Sequence, residues 1–253
     1  MIVVPATHPA ALLREQTQQV CLVSDLKKAA RIQREGVTRV PPPFEDWQWK
    51  PLVYDVLGWL RGTGQLVAER DERNTIDEWS PGVVVDIEAT FQDDIVCIGL
   101  WPLYRLEVGI CIPFRTQGGG FYWHEPSASE VKVALCNLLS DPRIPKVGQN
   151  FVGFDAPLLK RVWGVETRGI IGDTMIAHHL VWPELPHSLA FQSSMVTDMS
   201  PYKLEVHQGD DADDREKSCA RIYDYEDAEL RQYCLRDCYA TKLAWLELER
   251  EMA

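Results

Sequence analysis

An apolar strand that carries two acids constrains the fold of this chain more than any other feature. Residues 83–89 read Val-Val-Val-Asp-Ile-Glu-Ala, a run typical of a buried strand. Side chains alternate across a strand, so Asp86 and Glu88 share one face and the apolar residues beside them share the other. An exposed sheet edge is the alternative, but the three valines favour burial. Two buried acids are costly unless they have partners.

The residues after this strand predict a mixed sheet flanked by helices, in the α/β class. Strands at 95–100 and 106–113, with polar or turn residues between them, indicate a three-strand antiparallel meander. A short strand is predicted at 145–148. Helices are predicted at 129–139, 156–163, 174–181, 188–196 and 226–249.

A run of three prolines and one acidic run interrupt the regular pattern of the chain. Pro41-Pro42-Pro43 breaks regular structure and predicts a linker. A short strand (2–4) and a helix (25–35) precede it, and an amphipathic helix over 52–61 follows it. The acidic run Gly209–Asp214 is typical of a solvated loop. The predicted division is 1–40, then 41–80 as linker and short helix, then 81–253 as the main domain.

Composition restricts the class of protein. The chain has 253 residues, 45% of them hydrophobic and 25% charged, which is typical of a soluble globular protein. It shows neither a membrane-spanning apolar run nor a signal peptide, so we expect a cytoplasmic protein with no membrane partner. The net charge of −12 argues against loose, charge-driven binding of nucleic acid. An enzyme that engages only a strand end is still allowed, because bound metal ions invert the local field.

Seven cysteines are scattered along the chain without a CxxC spacing. Cys97 and Cys111 fall in predicted strands, and Cys234 and Cys238 fall on the last predicted helix. The spacing argues against zinc, and we expect reduced thiols that serve as small apolar side chains.

Two further acids and a tyrosine follow the strand acids. Asp155 ends Gly-Gln-Asn-Phe-Val-Gly-Phe-Asp at the start of a predicted helix, where it is a cap or a metal ligand. In the same motif, the amide of Asn150 and the aromatic face of Phe154 are suited to contact a nucleotide. The alternative is that both side chains only pack. Tyr233 and Asp237 are four residues apart on a predicted helix, so they share one face. The alternative is a tyrosine that only packs, beside a surface acid. Gathered acids repel one another, and divalent ions relieve this; hard oxygen ligands select magnesium or manganese over zinc.

Together these motifs resemble the DnaQ-like 3′–5′ exonucleases of the DEDDy type, the superfamily of the proofreading domains of DNA polymerase I and of RNase D. The resemblance covers about residues 83–249, and Gln232 stands where the histidine branch of the superfamily carries its histidine. Gly172–Met175 and Leu185–Leu189 also look like the proofreading family, with Asp173 expected to cap the helix after it. The matching motif residues are Asp86, Glu88, Asn150, Phe154, Asp155, Tyr233 and Asp237.

The resemblance implies an RNase H-like mixed sheet, with parallel strands beside the meander, and a two-metal hydrolysis. Two Mg²⁺ or Mn²⁺ ions about 3.5–4 Å apart would flank the scissile phosphate. Asp86 would bridge both ions, and Tyr233 would orient the attacking water. Products would be nucleoside 5′-monophosphates. The implied metal ligands are Asp86, Glu88, Asp155 and Asp237, and the implied substrate contacts are Thr90, Asn150 and Phe154.

Three functions remain open at this point. The first is a 3′–5′ exonuclease on DNA 3′ ends that edits or repairs for a DNA polymerase on another chain. The second is an RNase D-like exoribonuclease with the same residues. The third is a non-catalytic module that binds or docks nucleic acid, although the presence of all four acids speaks against it.

A second resemblance concerns the N-terminal 35 residues. Val3–Arg14 is similar to the His-Pro loop near the C-terminal end of uracil-DNA glycosylases, and Ser24–Ala29 looks like the helix after it. That family uses the histidine on a flipped uracil. The rest of a glycosylase has no counterpart here, so we interpret residues 1–40 as a remnant, or as the trimmed end of a longer fused protein, and His8 as inert. The resemblance favours DNA as the substrate.

Overall fold

The structure is a computed structural model, and it describes residues 19–62, 82–104, 108–200 and 222–253. Five strands form one sheet in the order β3-β2-β1-β4-β5. The strands are β1 (Val83–Ala89), β2 (Ile95–Pro102), β3 (Ile110–Pro113), β4 (Lys146–Gly148) and β5 (Ile170–Asp173). The long helices are α1 (Gln19–Glu35), α4 (Ser127–Ser140), α5 (Asp155–Trp163), α6 (Thr174–Val181), α7 (Leu189–Val196) and α8 (Asp227–Met252). Two shorter ones, α2 (Asp46–Trp49) and α3 (53–62), precede the sheet.

Strand β1 occupies the centre of the sheet. It pairs antiparallel with β2 from Val83 opposite Pro102 onward, and β2 pairs antiparallel with β3. On its other side β1 runs parallel to β4, which runs parallel to β5. This confirms the predicted meander with parallel strands beside it, and the RNase H-like mixed sheet.

Side chains of β1 enter two separate cores because they alternate across the sheet. Val83, Val85 and Ile87 pack with helices α3, α4 and α5 on one face. Val84 packs on the other face with α6 and α8. The acids Asp86 and Glu88 share the face of Val84, so they lie on the side of helix α8.

The predicted helices after the meander are confirmed within three residues at each end. Strand β3 begins at Ile110, and the described residues 108 and 109 of the predicted strand lie outside it; residues 106 and 107 of that prediction lie outside the described residues. Strand β5 was not predicted, because it is short, lies at the sheet edge and is only partly buried. Helix α2 also was not predicted. It has four residues within the predicted linker, held by a capping box between Glu45 and Gln48.

The N-terminal helix α1 begins at Gln19, six residues before the predicted start. It lies against the α7 region: Arg31 forms a salt bridge with Asp198, and Lys28 Nζ donates to the Ser194 carbonyl at 3.2 Å. The predicted strand 2–4 and His8 lie outside the described residues. The glycosylase resemblance and the domain boundaries therefore stay predictions.

The segment after the three prolines packs on the sheet. Residues 41–45 have no regular structure, as expected of a break, but Val56 and Leu60 of α3 are buried in the core beside β1. Trp59 Nε1 donates to the Val108 carbonyl at 3.2 Å. The acidic run Gly209–Asp214 lies outside the described residues. Among the described helices, none combines the length and apolarity that crossing a bilayer requires.

Candidate active site

The two acids of β1 lie close together on the α8 side of the sheet. One carboxylate oxygen of each residue and Cys234 Sγ all lie within 4.8 Å of one another. Glu88 is buried and Asp86 is half-buried. Next to Glu88 the β1–β2 register shifts, where Ala89 pairs with Ile95. Such irregularities end regular pairing and re-aim side chains beside a site.

Asp155 is the first residue of helix α5 and is buried. Burial raises its pKa well above the usual range, and the charge of Asp86 raises it further; backbone hydrogen bonds at Asp155 and Ile87 oppose this. Asp173 also contributes to the increase. Helix α5 therefore brings a third carboxylate into electrostatic contact with β1.

Asp173 supports the loop that leads into Asp155. Its Oδ1 accepts hydrogen bonds from the backbone N–H groups of Asn150 and Met175, each at 3.0 Å, and its Oδ2 accepts from the Val152 N–H, also at 3.0 Å. The prediction that Asp173 caps α6 is confirmed. The two bonds to the loop were not predicted, since nothing in the local sequence shows which backbone lies beside the cap.

Helix α8 contributes the remaining two candidates. Tyr233 and Asp237 are both buried on the side that packs against β1 and β2. Burial raises the pKa of Tyr233 far above its ordinary value, and the charges of Asp237, Glu88 and Asp86 add to this. The phenol is therefore neutral, and it lies among three of the acids.

The structure thus brings together the four acids and the tyrosine of the motifs, from three elements far apart in sequence. Their donors are hard oxygens, as divalent magnesium and manganese require. Burial is the main cause of the raised pKa of Asp155, and repulsion by Asp86 adds to it; a bound cation would oppose both effects. Asp86, Glu88, Asp155 and Asp237 could hold such ions.

The three predicted substrate contacts lie around these acids in different environments. Thr90 is buried directly after β1, and its Oγ1 accepts a hydrogen bond from the Asp94 N–H at 3.1 Å. Asn150 is exposed and has a positive φ of 55°. Phe154, the residue before Asp155, is 42% exposed, so its ring is available for stacking.

A hydrogen-bonded network behind the loop also escaped prediction. Gln149 Nε2 donates to the His187 carbonyl at 2.9 Å, and the Thr174 hydroxyl donates to Gln149 Oε1. Gln192 Nε2 donates to Gln149 Oε1 at 3.1 Å. These bonds connect the loop to α6 and α7. The resemblance around Gly172–Met175 and Leu185–Leu189 marked two of the segments but not their contacts.

Residues 101–253 match the family model DNA_pol_A_exo1, described as 3′–5′ exonuclease, over more than half of the chain. The chain belongs to this 3′–5′ exonuclease family. The matched range of the exonuclease contains Asp155, Tyr233 and Asp237, whereas Asp86 and Glu88 precede it. The resemblance that the motifs indicated is confirmed.

The chain is also similar to part of a DNA polymerase. Over 142 residues the chain is 33% identical to DNA polymerase I of Synechocystis sp., an alignment that covers 56% of this chain and 13% of the polymerase. The chain thus spans a small part of that relative's length.

Solved structures give a distant likeness. The apo form of a nuclease aligns with a TM-score of 0.47 at 16% identity, over 73% of this chain and 77% of the other. The POL domain of Pol1 from M. smegmatis, in complex with DNA primer-template and dNTP, aligns with a TM-score of 0.40 at 20% identity, over 75% and 26%. The EXD2 exonuclease domain soaked in Mn and GMP aligns with a TM-score of 0.31 at 16% identity, over 77% and 88%.

Proposed function

We propose that this exonuclease hydrolyses DNA from the 3′ end with two divalent metal ions and releases nucleoside 5′-monophosphates. The observation that carries the proposal is the convergence of four carboxylates and a neutral tyrosine from β1, α5 and α8. A core that served stability alone would gain nothing from gathering like charges.

The acids divide the work of holding the ions. The charge of Asp86 acts on Asp155 of α5 and on Tyr233 of α8, so its carboxylate lies near both helices. This position suits a ligand shared between two ions. Glu88 and Asp237 would complete one site, and Asp155 the other. When bound, Mg²⁺ or Mn²⁺ ions supply an activated water and stabilisation of the leaving 3′ oxygen.

Tyr233 has a positioning task rather than a basic one. Its raised pKa keeps the phenol protonated at neutral pH, so it cannot take a proton from water. A neutral phenol can still accept or donate a hydrogen bond and so orient a water for in-line attack. The buried setting holds the ring in one place.

The substrate end would lie on the loop beside the acids. The exposed Phe154 ring offers a stacking surface for a terminal base, and the exposed Asn150 amide offers hydrogen bonds. Thr90 would contact the terminal nucleotide through its hydroxyl, which can still donate its hydrogen while its oxygen accepts from the Asp94 N–H. DNA is proposed as the substrate because the curated relative is a DNA polymerase. Editing or repair would then assist a polymerase on a separate chain.

The proposal is tested with 5′-labelled single-stranded DNA and RNA of matched sequence, each in Mn²⁺, Mg²⁺ or chelator. We expect DNA to shorten stepwise from the 3′ end, with nucleoside 5′-monophosphates as products and no hydrolysis in chelator. Faster digestion of RNA would assign the ribonuclease alternative. Binding without hydrolysis in either metal would assign the docking module.

The editing role needs a separate comparison. Primer–templates with matched and mismatched 3′ ends are extended by a DNA polymerase that lacks its own exonuclease, with and without this protein. Editing in trans predicts preferential removal of the mismatched nucleotide and rescue of extension. Equal removal from both primers would contradict editing while leaving the hydrolytic activity in place.

A further inference from the structure

Three buried thiols meet between the sheet and helix α8, on the side of the sheet that carries the acids. Cys97 on β2 and Cys111 on β3 face α8, because Cys111 pairs with Gly99, two residues along β2 from Cys97. Cys234 approaches from α8. The three Sγ atoms all lie within 4.8 Å of one another, and all three residues are fully buried.

A fourth thiol adjoins them at Gly99. A Cβ at this glycine would lie 2.7 Å from Cys234 Sγ and 2.7 Å from Cys238 Sγ. The Sγ atoms of Cys234 and Cys238 therefore both pack on Gly99 of β2. They fill the space that a side chain at this position would occupy. We call Cys97, Cys111, Cys234 and Cys238 the thiol cluster.

The number and kind of donors distinguish a metal site from a disulfide. A disulfide uses two sulfur atoms, whereas this cluster gathers donors from three elements around one point. Zinc binds thiolates at about 2.3 Å in tetrahedral sites, which puts the sulfur atoms about 3.8 Å apart. The Sγ atoms of Cys97, Cys111 and Cys234, which already lie within 4.8 Å of one another, need to approach by an ångström or less. Cys238 Sγ lies outside this group and would have to turn toward it to become the fourth donor. Full burial is also typical of structural zinc sites, which are closed to solvent.

We propose that the thiol cluster binds one zinc ion, with Cys97, Cys111 and Cys234 as ligands and Cys238 as the fourth. Thiol protons pass to solvent as the ion binds, and no electron transfer is involved. The linear spacing argued against zinc because no two of these cysteines form a CxxC pair. The four cysteines are distant in sequence, and they are brought together by the register of β2 with β3 and by the packing of α8 on the sheet.

The surroundings of Cys111 support a thiolate there. Burial raises the pKa of Cys111, but hydrogen bonds from the thiols of Cys234 and Cys97, with the charge of Arg231, outweigh this and bring it to about 6. The same contacts act in the opposite sense on the donors: the hydrogen bond to Cys111 raises the pKa of Cys97, and burial with the neighbouring thiols raises that of Cys234. One thiolate is therefore favoured at Cys111, and the other thiols would lose their protons only to a bound cation. Arg231 is itself buried, with its guanidinium near the Arg115 carbonyl at 3.1 Å. A cation close by offsets the negative charge of a zinc–thiolate group.

The proposed zinc site is distinct from the acid site yet adjacent to it. Cys234 Sγ lies near the carboxylates of Asp86 and Glu88 as well as near the other thiols. Hard carboxylates prefer magnesium or manganese, and soft thiolates prefer zinc, so each site selects its own metal. Zinc bound to two strands and to α8 would fix the helix that carries Tyr233 and Asp237.

The test uses the full chain, produced under reducing conditions without a metal-affinity tag. Its zinc content is measured after dialysis against a weak chelator. The ion is then exchanged for Co²⁺, which gives an intense near-ultraviolet charge-transfer band only when thiolates are ligands. We expect one zinc per chain and a thiolate–cobalt band. Cobalt at the carboxylates alone would give no such band.

Matched variants separate this proposal from the proposed nuclease function. Cys111→Ser should lose the band and the retained zinc, while Cys136→Ser, a half-buried cysteine outside the cluster, should keep both. Asp86→Ala should lose hydrolysis and keep the zinc. A folded wild-type protein that retains no zinc, or whose cobalt form shows no thiolate band, would overturn the proposal and leave the thiols as apolar core. The wild-type spectrum decides even if Cys111→Ser does not fold.

Discussion

Asp155 at the start of helix α5 is buried close to Asp86 of strand β1, and burial together with the charge of Asp86 raises its pKa, although 69 residues separate the two in sequence. The carboxyl groups therefore share one environment. A cation bound between the two carboxyl groups would stabilise the ionised form of both.

Removing either a strand acid or a helix acid should stop hydrolysis. Asp86→Ala and Asp237→Ala are each expected to lower kcat by at least about 1,000-fold, because each removes an ionic ligand of the metal site. Circular dichroism and thermal unfolding should show a folded protein. The exposed Glu166, which lies beside Lys160 and Arg168, provides the control Glu166→Gln, which should retain the full rate. Full activity in either acid variant would remove the assignment.

Tyr233→Phe should slow the reaction without stopping it. The variant keeps the buried ring and removes only the hydroxyl that orients water, a loss of about one hydrogen bond and roughly tenfold in rate. The measurement is the single-turnover rate with saturating Mn²⁺. If the rate equals that of the unaltered enzyme, Tyr233 contributes packing alone.

Asp173→Ala should impair catalysis through the loop before Asp155. Three backbone N–H groups lose their acceptor, which costs about 2–4 kcal/mol of unfolding free energy, and the loop loses its support. We expect a lower Tm and a rate reduced by at least about tenfold at saturating metal.

Asp198→Ala is the matched control. Asp198 likewise accepts backbone hydrogen bonds, from Thr38 at 3.1 Å and Arg39 at 2.9 Å, but it anchors α1 and not the acidic loop. It should lower Tm by a similar amount and leave the rate unchanged. Similar losses of rate in both variants would mean that Asp173 acts only through global stability.

Two pairs of the candidate site could be predicted from local signals, whereas the grouping of all three segments was implied by the family resemblance. Alternation on a seven-residue strand placed Asp86 with Glu88, and a four-residue spacing placed Tyr233 with Asp237. Each rule needs only the chain within a few residues of the motif. The mixed sheet followed from the same patterns, since the meander and the helices show in the periodicity.

What escaped prediction depends on contacts between distant segments. Asp173 meets Asn150 only because β4 and β5 run parallel, and the thiols meet only because β3 pairs with β2 under α8. Strand β5 lacked a clear pattern because an edge strand needs little apolar surface. Helix α2 depends on Gln48, which donates to the Gly109 carbonyl at 3.0 Å, a partner 61 residues away.

Acidification should destabilise the protein through His178. Burial lowers its pKa to about 4, and the charge of His187, whose Nδ1 lies 2.9 Å from His178 Nδ1, adds to this. The unfolded chain takes up this proton near pH 6.5, but the folded protein does so only near pH 4. The contribution is therefore complete above pH 6.5 and is lost as pH falls from 6.5 to 4.

Urea unfolding at pH 7.5 and pH 4.5 measures this effect. His178→Gln should reduce the difference in unfolding free energy between the two pH values by about 1–2 kcal/mol. The exposed His124 provides the control His124→Gln, which should behave as the unaltered protein does. An unchanged pH dependence in His178→Gln would assign the acid sensitivity to other groups.

The most direct measurement is anomalous diffraction from crystals soaked in Mn²⁺ and a deoxynucleoside 5′-monophosphate. We expect two manganese peaks about 3.5–4 Å apart, contacted by Asp86, Glu88, Asp155 and Asp237, with the phosphate beside them. Well-diffracting crystals in which manganese peaks are absent from these carboxylates, while the nucleotide binds, would contradict the account.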